Sequence, residues 1–273
     1  MIRSRINFVA VICLALVALL GCSTPGKSSA ESPQQITVLT YNIHHGAGTD
    51  GRLDLPRIAG VIEACEPDFV ALQEVDVGTQ RSGGVDQPAE LARLTNMHAV
   101  FGKAMSFQGG QYGDAVLSRQ PIVGSRVVAL PWTEGNRREP RVAVSARVDV
   151  PDAGTIEFIS THWDHTRDPS DRLVQAEAVD TAWRDAGPAT ILAGDFNCEI
   201  GSEPLAALGG AWTLVSGADP AQPTCCGDKL RAKIDHVFVK SSPQWRVVEA
   251  RVIDEPVASD HRPVLVKLEL LRE

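Results

Sequence analysis

The chain has 273 residues, 44% of them hydrophobic and 22% charged, which suits a globular protein with a substantial core. Its formal charge of −8 includes Arg3 and Arg5, and without those two the balance falls to about −10. A non-specific nucleic-acid coat relies on Lys and Arg to neutralise phosphates, so this acidity excludes that role while leaving room for a locally basic cleft.

Residues 1–21 place two arginines before an uncharged apolar run over 8–20. These are the n-region and h-region of a secretory signal, too short for a comfortable membrane span. The run ends Leu19-Leu20-Gly21-Cys22, which resembles the lipobox of bacterial lipoproteins. Cys22 is then the lipidation site and the new N-terminus; the other reading is an uncleaved anchor with Cys22 as an incidental thiol. Residues 22–35 give the lipidated cysteine and a flexible tether of Ser, Pro, Gly, Gln and Lys. Such a leader expects a membrane-anchored, extracytoplasmic protein on the periplasmic or cell-surface side, and Ser23 after Cys22 fits outer-membrane sorting. Residues 36–273 show no repeat and no linker, so they read as one domain, and nothing in them points to an obligate protein partner.

The domain opens with a β-rich run over 36–43 that ends in Asn42, His44, His45 and Gly46. Residues 54–64 read as a helix, with Asp54 as cap, Pro56 in the first turn, and Leu55, Ile58, Val61 and Ile62 on one face. A buried strand over 68–72 ends in Gln73-Glu74, and 87–97 is a second helix. Strands follow at 99–104, 114–118 and 122–130. Residues 141–150 and 155–161 alternate well enough for a hairpin around 151–154, and 168–184 is an amphipathic helix. An apolar strand over 191–193 then meets Gly194, where the backbone is expected to break, and delivers Asp195 and Asn197 to its C-terminal end. In open α/β sheets that end is where ligands sit. A short helix over 203–208 and strands at 234–239, 245–253 and 264–270 close the chain. Many strands with few, long helices indicate two packed sheets covered by helices.

Cys65, Cys198, Cys225 and Cys226 remain once Cys13 and Cys22 are assigned to the leader. They allow three pairings that sequence cannot separate, and their spacing resembles no zinc site. Cys225-Cys226 reads as a vicinal disulfide or as two loop thiols, structural in either case.

Asn42, Glu74, His162, Asp195 with Asn197, Asp235, and Asp260 with His261 each fall at or near the end of an apolar strand-like run. Each has an ordinary explanation alone. Asn42, Asp195 and Asn197 are common turn formers, Glu74 could cap a helix, and His162 could be a buried histidine on a backbone carbonyl. Asp235, flanked by strand residues, must find a partner or suffer desolvation. All of them being incidental together is a far weaker reading.

In this order the residues closely resemble the endonuclease/exonuclease/phosphatase family, which includes pancreatic-type deoxyribonuclease, exonuclease III, bacterial sphingomyelinases and inositol polyphosphate 5-phosphatases. The matching pieces are Tyr41-Asn42-Ile43, Leu72-Gln73-Glu74, Ala115-Val116-Leu117-Ser118-Arg119, Ser160-Thr161-His162, Gly194-Asp195-Phe196-Asn197, Ile234-Asp235-His236 and Ser259-Asp260-His261. The resemblance implies a four-layer α-β-β-α sandwich of two packed mixed β-sheets flanked by helices, with the site at one rim. It also implies hydrolysis of a phosphate ester with Mg²⁺ or Mn²⁺. On that basis Glu74, Asn42 and Asp260 hold the metal, a hard cation suited to carboxylate and carboxamide oxygens. Asp195 orients and deprotonates the attacking water, and Asn197 holds the phosphate or that water. His261, supported by Asp235, donates to the phosphoryl oxygens. His162 stabilises the phosphate or protonates the leaving oxygen.

Three positions depart from the pattern or leave it open. His44 stands where some relatives carry a second metal-binding Asp, which points to phosphate contact or to readier use of Mn²⁺. Asp114 stands in Gly113-Asp114-Ala115 where many relatives have Asn, and a carboxylate there would repel phosphate. Arg141, in Arg138-Glu139-Pro140-Arg141, matches a recurring arginine that meets phosphate or else forms a surface salt bridge. The expected function is a divalent-metal phosphoesterase acting on a mono- or diester at the extracytoplasmic side of a membrane. An extracytoplasmic endonuclease acting on DNA or RNA is the alternative, although the chain offers no basic stripe with interleaved aromatics.

Overall fold

A computed structural model describes residues 34–134, 139–187, 189–217, 222–226 and 231–271. The leader, Cys22 and most of the tether lie outside them, as does Arg138. The first strand, β1 (Gln34–Asn42), starts inside the expected tether, where Gln34 and Gln35 pair with Leu270 and Glu269. It sets the pattern of the whole domain. Ile36 and Val38 turn into a core shared with the other sheet, while Leu39 and Tyr41 turn to the opposite face against helices. That two-residue period is the pleat itself.

The remaining elements in chain order are α1 (Leu55–Cys65), β2 (Phe69–Val77), α2 (Gln87–Thr95), β3 (His98–Phe107), β4 (Gly110–Ser118), β5 (Ile122–Leu130), β6 (Arg141–Val150), β7 (Gly154–His162), α3 (Ser170–Ala182), β8 (Thr190–Asp195), α4 (Glu203–Ala207), β9 (Trp212–Leu214), β10 (Asp235–Lys240), β11 (Trp245–Val252) and β12 (Val264–Leu270). One six-stranded sheet runs β11-β12-β1-β2-β4-β3, the other β5-β6-β7-β8-β10-β9. Both are mixed, because β1–β2 and β7–β8 are parallel and the other pairs antiparallel. The expected four-layer sandwich is therefore what the chain forms.

Three apolar clusters hold the layers. Val38, Ala71, Val144, Phe158, Ile191 and Val237 fill the space between the sheets. Ile58, Ile62 and Leu91 of α1 and α2 pack on Leu39, Val70 and Leu72. Ala176 and Val179 of α3 pack with Trp183, Ile159, Leu192 and Phe196 on the outer face of the second sheet. Each large side chain removed from water here contributes roughly 1.5–3 kcal/mol. Asp54 caps α1 by accepting from Arg57 N at 2.9 Å, as its sequence position indicates.

Several boundaries differ from the sequence expectation for local reasons. β2 does not stop at Leu72 but continues to Val77 through a register shift between Leu72 and Val75. β3 and β4 form one long hairpin around Gln108 and Gly109, both at positive φ. Gly194 does not break its strand. It lies within β8 opposite Thr161, where a Cβ would sit 2.0 Å from the Thr161 carbonyl oxygen, so close approach is what demands glycine.

Candidate active site

The site grows out of the inter-sheet face. On β1 the positions in phase with Ile36 and Val38 are Thr40 and Asn42; on β7, in phase with Phe158, are Ser160 and His162; on β8, in phase with Ile191 and Ala193, is Asp195; on β10, in phase with Val237, is Asp235. Towards one rim, then, the same pleat phase changes from apolar to polar. The first polar layer stitches the sheets together: Gln73 Nε2 donates to Ser160 Oγ at 3.0 Å, which donates to Leu72 O at 3.2 Å. One step outward, His162, Asp195 and Asp235 lie side by side across β7, β8 and β10.

Glu74 is out of phase with this face, and the β2 bulge corrects it. Its φ is +58°, a left-handed conformation costly for a residue with a Cβ. A bulge re-aims a side chain in this way, and the carboxylate accepts from Asn42 Nδ2 at 3.2 Å. The turn after β1 is left-handed as well, with φ of +45° at His44, +46° at His45 and +81° at Gly46. Asn42 Oδ1 fixes its start by accepting from His44 N at 3.0 Å. His44, His45 and Glu74 thereby bring ligating atoms within 4.8 Å of one another. Asp260 Oδ1 lies 3.9 Å from His44 Nδ1, and Ser259 Oγ donates to Asn42 O at 2.7 Å. The three expected metal ligands are thus gathered around one corner, joined by His44 and by His45, which sequence reasoning did not single out.

Asp195 is the hub of the other half. Its Oδ2 accepts from Asn42 Nδ2 at 3.1 Å and lies 3.5 Å from His162 Nε2 and 3.7 Å from His261 Nε2. Its Oδ1 accepts from Asn197 N at 2.9 Å. Burial, and then the neighbouring Asp235 carboxylate, push Asp195 up from the usual carboxylate range to about 7. His261 Nδ1 pairs with Asp235 Oδ2 at 2.9 Å. Burial works against the charged ring, but Asp235 and then Asp195 outweigh it and raise His261 to about 10. His162 goes the other way. Burial, followed by the Arg141 charge, holds it well below the usual histidine range.

These groups open onto a cleft of about 270 Å³ lined by Glu74, His162, Asp195, Asn197 and His261 on its polar side. Met105, Phe107, Tyr112 and Arg81 face them. Arg81 carried no sequence signal. Its guanidinium is clamped on Asp76 at 2.8 and 2.9 Å and lies 4.7 Å over the Phe107 ring. Arg141 is buried rather than a surface salt bridge: NH1 meets Glu139 Oε1 and His162 Nδ1, both at 3.0 Å, and NH2 meets His165 Nδ1 at 3.0 Å. His165 was also missed, although it follows His162 by three residues. Asp114 is buried beside this site, and desolvation holds its carboxyl well above the usual range. Its charged form is disfavoured there, which weakens the repulsion expected of a carboxylate.

Among the described residues, two groups of side chains have the spacing of divalent-metal ligands: His44, His45 and Glu74, and Asp195, Asp235 and His261. The second is closed on itself by the His261–Asp235 hydrogen bond. The first is the better fit. His44 Nδ1 faces the Ala47 carbonyl at 3.2 Å, which leaves Nε2 with its lone pair. Buried His45 Nδ1 has no partner among the described residues.

Family fold and ligand cluster together define a metal-dependent phosphoesterase. The family model described as "Endonuclease/Exonuclease/phosphatase family" matches residues 39–261, and the chain belongs to that family. A Beutenbergia cavernae endonuclease/exonuclease/phosphatase structure is 28% identical with a TM-score of 0.71, over 87% of this chain and 72% of that one. A Bacteroides thetaiotaomicron family protein aligns at a TM-score of 0.74 and 20% identity, over 89% of this chain and 100% of its own. The mannosyl-6-phosphatase Bt3783 of that species aligns at 0.65 and 20%, over 85% of this chain and 99% of its own.

Proposed function

We propose that the chain hydrolyses a phosphate mono- or diester by attack of water at phosphorus, on the extracytoplasmic side of a membrane. The observation that carries the chemistry is the convergence of Asn42, His162 and His261 on one Asp195 carboxylate beside the Glu74 corner. A carboxylate titrating near neutrality suits a base that orients water and takes its proton. His261, kept cationic by Asp235, donates to the phosphoryl oxygens as charge grows on them. His162, kept neutral, donates a hydrogen bond to the phosphoryl or leaving oxygen without being the proton source. Asn197 Nδ2 donates one N–H to Trp163 O at 3.0 Å, which holds the amide in place with its other N–H and its Oδ1 available to phosphate or water.

Glu74, Asn42 and Asp260 would hold Mg²⁺ or Mn²⁺, with His44 and His45 adjoining. When bound, such an ion neutralises phosphate charge and helps position it for in-line attack. The endonuclease reading is weaker here. Among the described residues, Arg81 and Arg141 are the cleft's guanidinium groups, and each is matched by a carboxylate, Asp76 and Glu139, so neither is a free cation for a nucleic-acid backbone. The location rests on the leader and on Cys22.

Hydrolysis of bis-p-nitrophenyl phosphate and p-nitrophenyl phosphate, with Mg²⁺, with Mn²⁺ and with EDTA, tests the chemistry beside Glu74→Ala and His261→Ala. Turnover that requires metal and vanishes in both variants supports it, and the preferred ester separates diesterase from phosphatase. Turnover indifferent to EDTA and to both substitutions overturns it.

A further inference from the structure

We infer that Arg141 is a positioning residue that fixes the tautomer of two cleft histidines, and that one of them, His165, is a further substrate-binding residue. Its Nε2–H would hold an ester or leaving-group oxygen of the substrate. The second half of this inference rests on the phosphate-ester reading above; the first half does not.

A guanidinium only donates. Arg141 NH1 is 3.0 Å from His162 Nδ1, and NH2 is 3.0 Å from His165 Nδ1. Each ring nitrogen must therefore present a lone pair, which puts the remaining proton of each neutral ring on Nε2. A proton on either Nδ1 would set two N–H groups head to head at a guanidinium only 4% exposed. The same contact disfavours the charged ring of His162, whose pKa is held low by burial and by Arg141. Glu139 Oε1, 3.0 Å from NH1, balances the guanidinium so that it can remain in place.

The consequence differs for the two rings. His162 is buried and its Nε2 faces Asp195 Oδ2 at 3.5 Å. His165 is exposed at the same cleft, and among the described residues its Nε2–H has no partner. The ring is held by one nitrogen, in one tautomer, with its other donor open to the cleft. That is the arrangement of a preorganised binding group. His165 lies nearer solvent than His162, so the oxygen it meets belongs to the outer part of the substrate.

Histidine ¹⁵N NMR on the full-length chain with Mg²⁺ tests the tautomers, the two rings being assigned through His162→Gln and His165→Gln. Wild type should show both rings with unprotonated Nδ1 and protonated Nε2 at pH 7. Arg141→Met, or Arg141→Lys if the methionine variant does not fold, should return at least one ring to a tautomer mixture. Either ring carrying its proton on Nδ1, or both protons at pH 7, overturns the positioning role. For His165 the probe is inorganic phosphate, followed by the shift of His165 Nε2, together with kinetics on the better nitrophenyl ester. His165→Ala should raise KM about tenfold, or about 1.4 kcal/mol, with kcat within about twofold. His165→Gln, which keeps an amide donor, should recover most of the loss. An unchanged KM in His165→Ala, or an unmoved Nε2 on adding phosphate, overturns the binding role. If no ester is turned over, the hydrolase reading fails, while the tautomers are still decided by the spectra.

Discussion

Asn42 Nδ2 on β1 donates to Asp195 Oδ2 on β8 at 3.1 Å, across the seam between the two sheets. The same nitrogen donates to Glu74 Oε1 at 3.2 Å. One neutral amide thus keeps two carboxylates at a fixed separation, which neither sheet could do alone. Asn42→Asp replaces that donor with a third carboxylate, and Asn42→Ala removes it. Both should lower kcat at least about a hundredfold. Loss of buried hydrogen bonds to charged groups should also cost about 1–3 kcal/mol. Steady-state kinetics and urea unfolding check the two effects; an Asn42→Ala enzyme with wild-type kcat would remove Asn42 from the machinery.

The site's titrations predict opposite pH trends in activity and stability. Asp195 must lose its proton to act as base, so the rate should rise as pH passes about 7; His261 must keep its proton, so the rate should fall towards about 10. For stability, His261 is raised in the folded state, so the folded chain binds the extra proton above the unfolded histidine value. Its contribution is complete below about 6.5 and is lost as pH climbs to about 10. Asp195 is also raised, but as an acid that ionises more readily when unfolded, so it disfavours folding increasingly from about 4 up to about 7. Thermal unfolding in EDTA from pH 7 to 10 should show the His261 slope in wild type and a flatter one in Asp235→Asn.

Gly194 separates a steric role from a hinge role. Because its added Cβ would lie 2.0 Å from Thr161 O in the paired strand, Gly194→Ala must push β7 and β8 apart beside Asp195. Destabilisation of about 3 kcal/mol is expected, together with lost activity in the folded fraction. A hinge glycine would tolerate alanine far better, and guanidinium denaturation distinguishes the two.

What the chain displays in its sequence and what it hides follow from the range of the interactions involved. Apolar runs are local, so Asn42, Asp195 and Asp235 could be placed at or near strand ends from the sequence, and the family motifs carried the sandwich. The β2 bulge at Glu74 was not legible, because it exists only in the pairing of β2 with β4, whose register shifts between Leu72 and Val75. His165 stood in view beside His162, but only the fold brings Arg141 of β6 between them. Arg81 and Asp76 meet through a turn whose sequence resembles any polar loop. The upward shift of the Asp114 carboxyl depends on burial, and a single sequence does not report burial of a charge.

The leader makes a separate, cheap prediction. If Cys22 is lipidated, the full-length chain should fractionate with membranes and enter a detergent phase, and Cys22→Ser should release it or leave the leader unprocessed. Membrane association that persists in Cys22→Ser with an intact leader would favour the uncleaved-anchor reading. Hydrolysis itself should be unaltered by the substitution, since residue 22 lies ahead of the sandwich that builds the cleft.

Metal preference follows from the chemistry of the corner around Glu74. His44 and His45 put two imidazoles within 4.8 Å of its carboxylate, and imidazole is a better ligand for Mn²⁺ than for Mg²⁺. Wild type should therefore be activated at lower Mn²⁺ than Mg²⁺ concentrations. His44→Asp supplies a hard oxygen in place of a ring nitrogen and should narrow or reverse that order, while Glu74→Gln should weaken activation by both ions. His44→Ala should lose part of the Mn²⁺ advantage without gaining for Mg²⁺, with metal affinity falling about 10–100-fold if the ring supports the site from outside the ligand set. Activation curves for the two ions, with calorimetric titration of each, read these changes directly. An ion preference identical in all four proteins would mean that the metal binds elsewhere.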